Sequence, residues 1–117
     1  MGTWSEADLA AAALKRLGVL GSGQTADAQD AADVIASWES IFQNLRTEGL
    51  APFPVGAIPV EAQHALSHVV ADANAGDFGI MGERAALLAK DAQDGMETLR
   101  REYRAKPKLL PTRARYF

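Results

Sequence analysis

Cysteine is absent from the chain, which excludes disulfide staples, thiolate metal sites and thiol catalysis. Long apolar runs are absent too. The longest is Leu9 to Leu14, far short of the roughly 20 residues that a membrane-spanning helix needs. The opening residues Met1-Gly2-Thr3-Trp4-Ser5-Glu6 lack the basic and apolar regions of a secretory signal. Together these absences predict a soluble protein made in the cytoplasm, with no membrane partner. At 117 residues there is room for one hydrophobic core and not two. A chain of this length buries about two-thirds of its unfolded surface, so neither metal nor disulfide is required to hold it together.

Catalytic patterns are missing as well. Glycines 18, 21 and 23, and again 76, 79 and 82, form neither the dinucleotide fingerprint nor a phosphate loop ending in Gly-Lys-Ser/Thr; they read as turns and caps. No Gly-x-Ser-x-Gly nucleophile elbow occurs. The fifteen carboxylates stand in no recognisable acid–base context; a hydrolase would have to use one such as Glu61 or Glu83. His64 and His68 are four apart, the helical spacing at which two imidazoles can share a zinc ion. Position 65, however, is Ala rather than a general-base Glu, and no further histidine or cysteine exists to complete the sphere. The pair therefore reads as two surface or subunit-interface histidines. No catalytic residue, cofactor or metal is expected, and a binding protein is favoured over an enzyme.

What the chain does have is a divided charge. Residues 1–99 hold five Lys and Arg against fourteen Asp and Glu, a net −9, whereas residues 100–117 hold seven basic residues against Glu102 alone, a net +6. An acidic body thus carries a basic end, and terminal blocks of this kind commonly serve as interaction arms.

Periodicity predicts four helices. The first runs from Trp4 to Leu17, with Leu9, Ala10, Ala13, Leu14 and Leu17 on one side, capping-box spacing at Thr3 and Glu6, and Gly18 at the left-handed stop position. Asp8, Lys15 and Arg16 fall off that stripe and face solvent or a neighbour, while Val19 and Leu20 tuck back onto the core. The second runs from Thr25, its N-cap, to Glu48, with Ala31, Ile35, Trp38, Phe42 and Leu45 inward; as the longest element it is the natural spine. Pro52, Pro54, Gly56 and Pro59 then forbid helix and impose an extended connector. Pro59 suits the first position of a third helix reaching Ala75, with Ala62, Ala65, Leu66, Val69 and Ala73 inward, and both histidine rings pointing away. A glycine-rich turn anchored by Phe78 leads to a fourth helix, Gly82 to Arg104, burying Ala85, Leu88, Ala89, Ala92, Met96, Leu99 and Tyr103. Leu87 lies nearly opposite that stripe, either as an ordinary exposed leucine or as a possible inter-subunit contact.

The expected fold class is accordingly all-α: a four-helix bundle over residues 1–104 with an extended basic arm over 105–117. The arm has two prolines and no periodicity. Its basic residues, together with Leu109, Leu110, Tyr116 and Phe117, give it groups that a merely solvated tail has no use for. Arg104, Lys106, Lys108, Leu109, Leu110, Arg113, Arg115, Tyr116 and Phe117 are the predicted contacts.

The segment Ala13-Leu14-Lys15-Arg16-Leu17-Gly18-Val19-Leu20, then Thr25, the Trp38 helix and Thr47-Glu48-Gly49-Leu50, resembles the N-terminal signature of tailed-phage head-to-tail adaptor proteins. The nearest group is the head-completion, or packaged-DNA-stabilisation, family of short-tailed phages. The resemblance implies a helical-bundle subunit of the virion's head–tail junction, made in the host cytoplasm. It implies a homo-oligomeric ring of about twelve copies under the portal, which extends the DNA channel, retains packaged DNA and offers tail or nozzle proteins a platform. DNA would pass through without sequence-specific binding, and the arm residues would contact the portal protein or a neighbouring subunit. Two other readings stay open: a small nucleic-acid-binding module gripping phosphates with residues Arg100 to Arg115, and a small regulatory helical protein, for which a dimer is the expected state.

Overall fold

The computed structural model describes residues 2–21 and 23–104, the last of these by its backbone only. The arm, with the predicted contacts Lys106, Lys108, Leu109, Leu110, Arg113, Arg115, Tyr116 and Phe117, lies outside the described residues. These are all-helical, with no β-strand: α1 (Glu6–Leu17), α2 (Ala28–Thr47), α3 (Val60–Asn74) and α4 (Gly82–Leu99), the last continuing into a π-helical stretch, Arg100–Arg104.

The helices stand where periodicity puts them, but the starts of the first three differ, and the α-helical part of α4, which begins at Gly82 as expected, ends at Leu99 and not Arg104. α1 is capped by Ser5 and not by Thr3. The Ser5 hydroxyl accepts from the Asp8 N–H at 3.2 Å, while the Asp8 carboxylate accepts from the Ser5 N–H at 3.0 Å, a reciprocal arrangement whose loss costs about 1 kcal/mol. Trp4 cannot be helical because it forms an isolated antiparallel bridge with Ile58, each N–H donating to the other's carbonyl at 2.9 Å. α2 likewise starts later than expected. Asp27, not Thr25, is its cap, accepting from the N–H groups of Gln29 and Asp30; a charged acceptor makes the stronger bond there. Pro59 occupies the N-cap of α3 with extended backbone (φ −70°, ψ 156°), one position before the expected one. α1 ends at Gly18, whose φ of 78° suits glycine.

One hydrophobic core joins all four helices. Leu9, Leu14, Leu17, Val34, Trp38, Leu50, Ile58, Leu66, Val70 and Leu99 are essentially inaccessible, and each large side chain so buried contributes about 1.5–3 kcal/mol. The central element is α3 and not the longer α2: it packs on α4, α1 and α2. Its buried set is also turned from the expected stripe. Ala62, Ala65, Leu66, Ser67, Val70, Ala71 and Asn74 face inward, whereas Val69 is half-buried and Ala73 exposed. A helix enclosed by three neighbours buries a wider arc than a two-sided one. The polar members of that arc are satisfied: the Asn74 amide donates to Val70 O at 2.8 Å and Ser37 Oγ at 3.2 Å, and the Ser67 hydroxyl donates to His64 O at 2.7 Å.

α3 and α4 meet at Gly95, a residue absent from the expected stripe. A Cβ there would lie 2.7 Å from the Ala65 carbonyl oxygen, so glycine is what permits the approach. The connector after α2 is held by its apolar residues Leu50, Ala51, Phe53 and Ile58, all buried, and by the Trp38 indole N–H donating to Val55 O at 3.1 Å. Val19 does not tuck in with Leu20; it is 40% exposed.

Candidate functional site

Three surfaces could carry function: the root of the arm, the outer face of α4, and a polar seam where α1, α3 and α4 meet. Each is set by a different part of the core.

The root is anchored by Tyr103. Its ring packs on Phe53, 5.9 Å between centroids, ending a line of aromatic contacts that passes through Phe42 to Trp38. Its hydroxyl donates to the Glu61 carboxylate at 3.2 Å. Burial, together with the negative charges of Glu61 and Glu102, pushes the Tyr103 phenol well above its usual range, so it remains a neutral donor. Residue 104, the first of the predicted contacts, is the last residue of the π-helical stretch and follows this anchor directly. The exposed face of α4 carries Leu87, 61% accessible beside Glu83, Ala86 and Lys90. That matches its expected outward position. Arg84, one turn earlier, reaches across to α1, donating to Arg16 O at 3.4 Å.

Of the polar seam, only the histidine pair was marked in the sequence. Arg16, expected to face solvent or a neighbour, is half-buried and lies against α3, its Nε–H donating to Ser67 Oγ at 2.7 Å and its terminal nitrogen lying 3.1 Å from His64 Nδ1. His64 Nε2 is in turn 3.2 Å from His68 Nε2, the rings meeting edge to face with centroids 4.6 Å apart. On its far side His68 Nδ1 faces Asp91 of α4 at 3.9 Å, too long for a hydrogen bond, and has no hydrogen-bond partner although buried. His64 is exposed, as expected, but the His68 side chain is only 14% accessible. The expectation that both rings point away fails because the buried arc of α3 is rotated toward them. Burial, the Arg16 charge and His64 push the His68 pKa down, against the opposing pull of Asp91 and Asp94. The four-residue spacing signalled the histidine pair; Arg16 and Asp91, distant in sequence, left no signal.

The seam divides two clefts. One, of about 590 Å³, is lined by Trp4, Lys15, Arg16, Val60 and Gln63; the other, of about 240 Å³, by Glu61, His68, Asp91, Asp94 and Thr98, with His64 common to both. Among the described residues no group of three or more His, Asp or Glu is arranged to hold a metal ion, and no helix is long and apolar enough to cross a membrane.

No protein-family model matches the chain, and no curated protein matches it.

Proposed function

We propose that the chain is a structural, non-enzymatic adaptor subunit of a tailed-phage or phage-like head-to-tail junction. In this reading the four helices form a bundle domain with an extended basic arm. Roughly twelve copies close into a ring under the portal. The ring extends the DNA channel, retains packaged DNA and provides the platform on which tail proteins assemble. The chain's working place is then the virion.

The single observation that carries this reading is the charge division, net −9 over residues 1–99 against net +6 over 100–117. Phosphate contacts turn a surface into a place where DNA sticks, and acidic walls avoid them. A basic arm on such a body is suited to an acidic protein surface, and its leucines and terminal aromatics to an interface with some apolar burial. The adaptor-like residues from Ala13 to Leu50 add to the argument, as does the fixed root at Tyr103. Repetition around a ring lets small head-to-tail contacts hold together what one contact could not.

The test compares the full chain with a chain lacking residues 106–117, each mixed with a portal ring and sedimented. The full chain is expected to travel with the portal. The truncated chain is expected to keep its helical circular dichroism and to stay behind. Equal binding by both would overturn the role of the arm. The seven basic residues from 100 to 117 favour one second reading, a nucleic-acid-binding module. Salt-dependent retardation of short duplex DNA by the full chain, without portal binding, would select it.

A further inference from the structure

Two imidazoles and three carboxylates line one small cleft between α3 and α4, and the imidazoles stand at a metal-binding separation. We propose that His64 and His68 form a site for a divalent transition-metal ion, with zinc as the representative ligand and Asp91, 3.9 Å behind His68, as a nearby negative charge. This stands independently of the adaptor reading.

The geometry carries the argument. Zinc–nitrogen bonds of 2.0–2.1 Å at a tetrahedral centre place two nitrogens roughly 3.3–3.4 Å apart. The two Nε2 atoms are 3.2 Å apart, and a rigid helix holds both rings, so no backbone movement is needed. Between them now lies a proton. A guanidinium only donates, so the Arg16 contact makes His64 Nδ1 an acceptor and puts that ring's proton on Nε2, from which it is given to His68 Nε2. His68 then carries its own proton on Nδ1, directed at Asp91. It is therefore already in the tautomer that binds metal through Nε2, with the negative charge of Asp91 behind it, though not in hydrogen-bond contact.

Binding changes one thing. To offer its Nε2 lone pair, His64 moves its proton to Nδ1, where it meets the Arg16 donors. Arg16 must then turn its terminal nitrogen away, keeping the Nε–H bond to Ser67. Arg16 thus opposes the metal, while Glu61, Asp91 and Asp94, all lining the cleft, offset the added charge. Neutral imidazoles without thiolates suit Zn²⁺, Cu²⁺ or Ni²⁺ better than Mg²⁺ or Ca²⁺. Only two protein ligands bind directly, in keeping with the lack of a three-residue metal group among the described residues. The other coordination positions go to water and the affinity is modest.

Calorimetric titration of the untagged full chain with zinc chloride, followed in parallel by the histidine ring resonances, tests this. One ion per chain is expected, with both histidines shifting. His64→Gln and His68→Gln should each remove binding, Asp91→Asn should weaken it a few-fold by removing a nearby negative charge, and Arg16→Met should tighten it. The last change runs opposite to what general damage to the fold produces. No saturable uptake, undiminished binding in the His64→Gln/His68→Gln double variant, or weaker binding in Arg16→Met would overturn the proposal.

Discussion

Replacing Gly95 with alanine sets two effects of known size against each other. In a helix interior alanine is favoured over glycine by about 1 kcal/mol, because glycine loses more backbone freedom on folding. At this position, though, the added Cβ would sit 2.7 Å from Ala65 O and 3.4 Å from the Ala65 carbonyl carbon and Cα. The obstacle is the backbone of α3 and cannot swing aside as a flexible side chain could. α3 and α4 must move apart by several tenths of an ångström, loosening Leu88, Ala92 and Leu99, which α4 buries beside Gly95. Overpacking of this kind costs about 1–3 kcal/mol, and a backbone obstacle belongs at the upper end of that range. The net expectation for Gly95→Ala is a loss of about 1–2 kcal/mol, or a drop in Tm of roughly 5–10 °C, measured by thermal melting followed by far-ultraviolet circular dichroism. Gly76→Ala is the control. Its Cβ meets nothing within 4 Å and its φ lies outside the left-handed region, so its Tm should hold or rise slightly. A Gly95→Ala variant melting at or above the parent would refute the close approach of the two helices.

Other perturbations test other parts. Trp38→Phe removes the indole donor to Val55 O and leaves a void beneath Phe42; a loss of about 2–4 kcal/mol is expected in urea denaturation, and one under about 0.5 kcal/mol would contradict the anchoring of the connector. Glu6 has its pKa raised from 4.5 by burial and by sharing a hydrogen bond with, and feeling the charge of, Glu39. The folded state therefore holds that proton more tightly than the unfolded one. Its contribution is fully present below about pH 4.5 and is lost as pH rises through the raised value. Glu6→Gln should accordingly gain in Tm on the parent as pH rises from 4 to 7; a difference that shrinks over this range would be the opposite sign. Leu87→Glu, at a site 61% accessible, should leave the monomer's stability within about 0.5 kcal/mol while weakening ring assembly, as read by sedimentation velocity. Unchanged assembly would remove Leu87 from the interface.

The helices were legible because their apolar residues repeat at helical spacing over long windows, and Trp38, Phe42 and Leu45 are large enough to leave no ambiguity about the inner face of α2. Their starts were not. Thr3 with Glu6 and Ser5 with Asp8 have the same capping-box spacing, and only the pairing of Trp4 with Ile58, 54 residues away, selects between them. The inner face of α3 was misread for a related reason. Its alanines leave the stripe weakly marked, and Ser67 and Asn74 are buried through hydrogen bonds to partners that hydropathy does not register. Gly95 reads in sequence as a weak point of a helix, and only the neighbouring backbone makes it a contact. The seam was half legible: His64 and His68 announce themselves by spacing, whereas Arg16 and Asp91 are brought in by packing. The arm residues and Leu87 were read from charge and amphipathicity alone.

Assembly of the body through its arm is tested most directly by native mass spectrometry of the full chain with a portal ring. A closed ring of roughly twelve copies on the portal, lost when residues 106–117 are removed, is the predicted result; a chain that stays monomeric or dimeric with the portal present, its mass unchanged by the deletion, would contradict it.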